Sequence, residues 1–447
     1  MRPTITLLII CAVCACAMAA AAAAPQKMFP YPYQQHDFNN GLRLITVPTD
    51  FPNVVSLYIV VATGSRNEVE LGKTGFAHFF EHMMFRGTKE YPPDKYNDVI
   101  KKAGASFNAY TSDDLTAYHT TFSKPDLETI LRMEADRFQN LSYSEDVFKT
   151  EALAVLGEYN KNSASPGMKI SEQMRGLAFQ QHTYRHTTMG FLKDIQDMPN
   201  QYAYSKMFFD RYYRPEYTTI IVAGDVNNDA TRAMVEKHWG AWKRGSYNAP
   251  IPKEPAQDGP RQAHIDWPSP TLPWTVVAFR AAAYSDDAKD SAALDLLSFL
   301  AFSENSPLYR KLVLEDQKVD LLSAGNADHV DPYLFTVHSR VKKAADMDSV
   351  REQILSTLAG FKDTLVSAEE LDKVKRHVRY SFALGMDNSE ALAGVLASYV
   401  ALRRTPETIN RVYDLYSQIT PEDIRNAARK YFVESGRTTV TLTGVSK

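Results

Sequence analysis

Seven residues near the middle of the chain, Thr218-Thr219-Ile220-Ile221-Val222-Ala223-Gly224, return in pattern as Thr438-Thr439-Val440-Thr441-Leu442-Thr443-Gly444, 220 positions later and without a gap. Each run follows an aromatic-rich stretch, Phe209 to Tyr213 in one case and Tyr431-Phe432 in the other, and each reads as a strand that closes a unit. Upstream, helix candidates at 127–138 and 350–361 precede Ser144 and Ser367, whose side chains suit the N-cap of a following helix. The chain is therefore expected to hold two homologous α/β units of about 200 residues each. The fold class is α+β, with mixed or antiparallel sheets layered with helices. Alternating runs at 42–47 and 54–62 predict a pair of strands at the start of the first unit. The Pro-, Gly- and polar-rich stretch 246–260, SYNAPIPKEPAQDGP, predicts a linker, which places the first unit at 25–245 and the second at 261–447.

Residues 1–24 read as a signal peptide rather than as fold. Arg2 supplies a positive start, ITLLIICAVCACAM an apolar core, and the alanine run ending at Ala24 several small-residue cleavage sites. Cys11, Cys14 and Cys16 are the chain's three cysteines and all fall in this stretch, so the remainder has no disulfide framework and no thiolate ligand. Val13-Cys14-Ala15-Cys16 is a poor lipidation site. No other apolar run is long enough to span a bilayer. Export, to the bacterial periplasm, is the expectation. A net charge of −3 without a Lys/Arg-rich block argues against nucleic-acid binding. Chemistry must come from histidine and carboxylate.

His78-Phe79-Phe80-Glu81-His82 supplies both at a metal-site spacing. On a helix turning about 100° per residue, the two histidines lie about 40° apart and Glu81 about 60° to the other side of His78. Two imidazoles so placed can hold Zn²⁺, and the carboxylate between them is free to take a proton from water. The order is the inverse of the zinc-peptidase word H-E-x-x-H. Two histidines need a third protein ligand. Residues 142–160 predict an amphipathic helix with Phe148, Leu153, Val155 and Leu156 on its apolar side. Glu151 and Glu158, two turns apart, share a face of it, and a carboxylate turned inward there is costly unless it meets a cation. His182 and His186 have the same spacing in a loop-like segment with no acid nearby. His36, His119, His238, His264, His329, His338 and His377 are isolated, and read as surface or strand residues.

The stretches Asn40-Gly41-Leu42-Arg43 and Gly75-Phe76-Ala77-His78-Phe79-Phe80-Glu81-His82-Met83-Met84-Phe85-Arg86-Gly87-Thr88, continuing to Glu158, resemble the pitrilysin and insulinase group of zinc peptidases. That group includes the mitochondrial processing peptidase, and the resemblance spans essentially everything after the leader. It implies one Zn²⁺ per chain on His78, His82 and Glu158, with Glu81 as general base and Glu151 orienting a ligand or proton from behind. Gly104 to Thr111 is similar to the group's edge strand, which implies that Phe107, Asn108, Ala109 and Tyr110 pair with a substrate backbone. Gly190 to Ile195 resembles a further signature, with Thr183 where a proline is often found. The implied activity is hydrolysis of oligopeptides or unfolded segments by metal-activated water. The alternative is a non-catalytic core or interaction subunit of the same fold.

The second unit has Ala292-Ala293-Leu294-Asp295-Leu296-Leu297 and no inverted motif. Larger relatives of the group also bring an Arg and a Tyr, seven positions apart, from a facing half. No Arg-x6-Tyr occurs in 261–447; Arg280 and Tyr284 lie four apart on a candidate strand. The expectation is a companion chain of the same fold, forming a heterodimer, or else a homodimer in which Arg280 or Tyr284 acts across the interface.

Overall fold

Two sheets, one from each half of the chain, carry the repeat. The computed structural model describes residues 27–445; residues 1–24, read above as a signal peptide, and their three cysteines lie outside the described residues. The first sheet holds β1 (Gln34–Asp37), β2 (Arg43–Pro48), β3 (Val54–Val61), β4 (Ser106–Thr111), β5 (Thr116–Ser123) and β6 (Thr218–Gly224), in the order β1-β2-β6-β3-β5-β4. The second holds β7 (Arg261–Trp267), β8 (Trp274–Arg280), β9 (Val319–Asn326), β10 (Leu334–Val341) and β11 (Arg437–Gly444), in the order β7-β11-β8-β10-β9. β1 aside, the topology is the same. The repeated runs are the second strand of each shared pattern, parallel to β2 or β7 and antiparallel to β3 or β8.

The strands at 42–47 and 54–62, expected to pair with each other, do not. β6 lies between them, parallel to β2 (Ile45 opposite Ile221) and antiparallel to β3 (Tyr58 opposite Ile221). The reason is burial: β6 is covered along its whole length, and a strand apolar on both faces belongs at the centre of a sheet. Residues 49–53 make no tight hairpin turn. They are tied to the end of β6 and the residue after it instead, Thr49 N–H donating to Gly224 O at 2.9 Å and Asn53 N–H to Asp225 Oδ2 at 3.1 Å. The repeated terminal glycine follows from this crowding. A Cβ on Gly224 would meet Val54 O at 2.1 Å, and one on Gly444 would meet Ser269 O at 2.5 Å.

Each sheet has one face packed by helices of its own unit and the other by a helix of the opposite unit. The helix Ser389–Arg403 lays Leu392, Leu396 and Val400 on Ile45, Val47, Val60 and Ile221 of the first sheet. In return the helix Pro166–Ala178 lays Ile170 and Met174 on Val276, Ala278, Val440 and Leu442 of the second. Neither sheet closes its core without the other half. Residues 246–260 form neither helix nor strand, yet are held: Glu254 accepts the backbone N–H groups of Gln180, Gln181 and His182 at 2.8 Å. Among the described residues no helix is long and apolar enough to cross a membrane.

Candidate metal centre

The inverted motif occupies a short helix, Phe76–Met83. Phe76, Phe79, Phe80 and Met83 anchor it in the core, with the Phe80 ring stacked on Phe208 at 5.3 Å. Its start is fixed by Glu68, a buried carboxylate whose oxygens accept Gly75 N–H and Ala77 N–H, each at 2.7 Å. A carboxylate at a helix N-terminus is favoured by the unpaired amides and the helix dipole. Burial nonetheless pushes Glu68 up to about 8. The aromatic anchors on one side leave His78, Glu81 and His82 on the other.

The second helix of the site, Glu145–Asn162, begins where the Ser144 hydroxyl accepts Val147 N–H at 3.3 Å. Its buried stripe is Phe148, Ala152, Val155 and Tyr159. Leu153, expected on that stripe, is 57% exposed, because at about 100° per residue it stands roughly 140° away from Phe148. Glu151 shares the buried side and Glu158 reaches the edge of the motif helix.

Glu158 Oε2 lies 3.3 Å from His82 Nε2 and 3.7 Å from His78 Nε2. Ligand atoms of all three residues fall within 4.8 Å of one another. In a tetrahedral zinc site with bonds of about 2.0–2.1 Å, ligand atoms are about 3.3 Å apart, so this donor set fits one ion. The two imidazoles are tuned differently: the Glu151 hydrogen bond raises His82 while fixing its tautomer, and burial lowers His78. His82 Nδ1–H donates to Glu151 Oε1 at 3.0 Å, which leaves Nε2 as the free electron pair. Burial, then the neighbouring His82, hold His78 well below the usual imidazole range, and a neutral imidazole is the metal-binding form. His78 Nδ1 is buried without a hydrogen-bond partner among the described residues, so the two imidazoles are unequally supported.

Glu151 is 2% exposed. Burial alone would raise its carboxyl, but hydrogen bonds from His82 and Arg86 outweigh that and hold it low. Glu81 does not join the ligand cluster. Burial raises its carboxyl, partly offset by the Thr111 hydroxyl, which donates to Oε2 at 2.7 Å. Thr111 closes β4, which is the outer strand of its sheet, so a strand edge with no partner among the described residues runs up to the Glu81 carboxylate. Phe107 and Asn108 are exposed on it, Ala109 is buried, and Tyr110 is half-buried. Ala109 N–H meets the Asn108 side-chain oxygen at 2.9 Å.

Glu68, Arg86 and Thr111 carry no spacing signal of their own; they reach the site through tertiary packing. Other expectations need correction. Arg280 ends β8, so Tyr284 lies beyond the strand. Arg280 pairs with Glu254 at 2.9 Å and packs on Phe179, while the Tyr284 hydroxyl is 2.7 Å from Thr408 Oγ1 and its ring is buried. Both make packing contacts within the chain. His182 and His329 do find acids, but distant ones: Asp331 at 3.0 Å and Asp113 at 2.9 Å.

A sequence profile described as "Insulinase (Peptidase family M16)" matches residues 44–191, and one described as "Peptidase M16 inactive domain" matches residues 202–378. The zinc protease PqqE of Helicobacter pylori is 28% identical over 409 residues, 90% of this chain and 91% of that protein. The crystal structure of a protease from Helicobacter pylori superposes with a TM-score of 0.85 at 28% identity, over 92% of this chain and 100% of that one. The first half of the periplasmic protease PqqL from Escherichia coli gives a TM-score of 0.75 at 21% identity, over 94% and 93% of the two chains. At that lower identity the likeness is one of fold.

Proposed function

Because this chain belongs to peptidase family M16, the insulinase family, we propose that it is a zinc-dependent endopeptidase of extended peptides, with Glu81 as general base. The observation that carries this reading is the convergence of His78, His82 and Glu158 beside a carboxylate left out of the cluster. When bound, zinc supplies Lewis acidity toward the scissile carbonyl and lowers the pKa of water toward about 7. The chain's own residues do the rest. Glu81, with one oxygen held by Thr111, keeps the other to accept a proton from the attacking water and return it to the leaving amine. Glu151 holds the His82 ring in orientation and keeps its Nδ1 protonated, and Arg86 secures Glu151 in turn. The free edge of β4 takes the peptide as an added strand, through Phe107, Asn108, Ala109 and Tyr110. Extended segments therefore suit the site better than folded proteins.

Residues 1–24 direct export to the periplasm in this reading, in keeping with the periplasmic fold relative. Full activity requires a companion chain of the same fold, because the second unit holds no Arg-x6-Tyr. The deciding experiment measures zinc per purified chain alongside chelator-sensitive hydrolysis of unstructured peptides. One zinc and metal-dependent turnover, alone or with a companion, are expected. A chain that binds no zinc is instead a non-catalytic subunit of the same fold.

A further inference from the structure

We propose that the cavity between the two units, at the end of β4, receives a lysine or arginine side chain of the bound peptide, with Asp328 as its counter-charge. This rests on the proposed pairing of a peptide with β4. The cavity, about 520 Å³, is bounded by Tyr110 and the β4–β5 turn, by Asp328 and His329, and by the end of the helix Ser389–Arg403. That volume falls within the range of small-ligand pockets.

Its electrostatics single out one group. Three carboxylates line it. Asp113 is matched by Arg175 at 2.7 Å, Ser65 at 2.8 Å and His329 at 2.9 Å. Asp114 accepts from the Tyr184 hydroxyl at 2.8 Å and from Val330 N–H at 3.1 Å. Asp328 has neither a hydrogen bond nor an ion pair among the described residues. Asp328 is exposed at the mouth, and crowding by the cavity walls raises its carboxyl despite the adjacent His329. The His329 Nε2 is already directed at Asp113. Asp295, nearby, accepts from the Tyr416 hydroxyl at 2.7 Å, and its carboxyl is raised by burial and by Asp328. Leu115, Tyr399, Ala401 and Leu402 supply apolar walls. Apolar walls around one uncompensated carboxylate fit a cation on a hydrocarbon stem.

Strand geometry brings the peptide there. Side chains of an added strand alternate between faces, as do those of β4. Those on the Thr111 side face Glu81, while their neighbours take the Tyr110 side and so the cavity. Asp328 would thus select a residue one step removed from those over the metal face.

The test uses the zinc-loaded Glu81→Gln chain, which binds peptide independently of turnover. Labelled extended peptides carry lysine or norleucine at one position at a time, and binding is read by fluorescence anisotropy. Lysine at one or more positions should bind about 10-fold more tightly than norleucine. Adding Asp328→Asn should bring that ratio to about 1, and Asp328→Lys should shift the preference to glutamate. Peptide binding with no lysine preference, or a preference that survives both Asp328 variants, overturns the proposal and leaves the β4 reading standing. No binding of any peptide overturns both. A lysine preference in a parent chain that hydrolyses nothing supports the pocket and removes only the hydrolytic function.

Discussion

The helices Glu145–Asn162 and Ala368–Leu384 occupy corresponding places in the two units, and they have diverged where the sheets have not. Both start from a serine that caps the first turn, Ser144 and Ser367. Seven and fourteen positions on, the first carries Glu151 and Glu158, the second Val374 and Ser381. The first buries Phe148, Glu151, Ala152, Val155 and Tyr159; the second buries Leu371 alone. A cavity of about 670 Å³ opens beside the second helix, against Phe299, Phe361 and His377. Sheets covered on both faces tolerate little change, since a slip or a polar substitution exposes core on one side and strands a polar group on the other. A helix at the rim is freer. It keeps inward carboxylates only where something offsets their desolvation, here His82, Arg86 and the proposed ion.

The largest test of this contrast removes the ligands. His78→Ala, His82→Ala or Glu158→Gln should each reduce zinc, measured by mass spectrometry, to background and abolish peptide hydrolysis. Zinc retained by Glu158→Gln at parental affinity would mean that the third ligand lies elsewhere. Glu81→Gln should instead keep its zinc and lose at least about 10²-fold in kcat, because an amide is not a base. Near-normal turnover in that variant would remove Glu81 from its role.

The exchange of covering helices makes a prediction about stability. Leu396→Ala, on a helix of the second unit, should destabilise the first sheet by about 2–5 kcal/mol. Denaturation followed by a probe in each unit should show one shifted transition; a change confined to the second unit would show that the halves fold independently. Glu151→Gln should retain most of its zinc and lose about 10–100-fold in affinity or activity, as expected for a group that orients a ligand. Metal loss as complete as that of His82→Ala would make Glu151 a ligand itself. At the small end, His377→Ala in the second unit should leave zinc content unchanged and stability within about 0.5 kcal/mol, since His377 is exposed. Any loss of zinc there would reveal a metal site in the unit that has no inverted motif.

Much of this architecture is local chemistry and can be read along the chain. Thr218–Gly224 and Arg437–Gly444 are strands because their β-branched runs suit little else, and Ser144 and Ser367 cap helices because their hydroxyls reach the free amides of the first turn. His78, Glu81 and His82 share one helix face by spacing alone. What the chain order hides is partnership between distant segments. The insertion of β6 between β2 and β3 and the use of Arg280 and Tyr284 in packing depend on what lies opposite. So do the hydrogen bonds from Thr111 to Glu81 and from Arg86 to Glu151. Periodicity specifies which residues share a face but not what that face meets. The meeting is decided by burial, which the two units achieve only by covering each other's sheets.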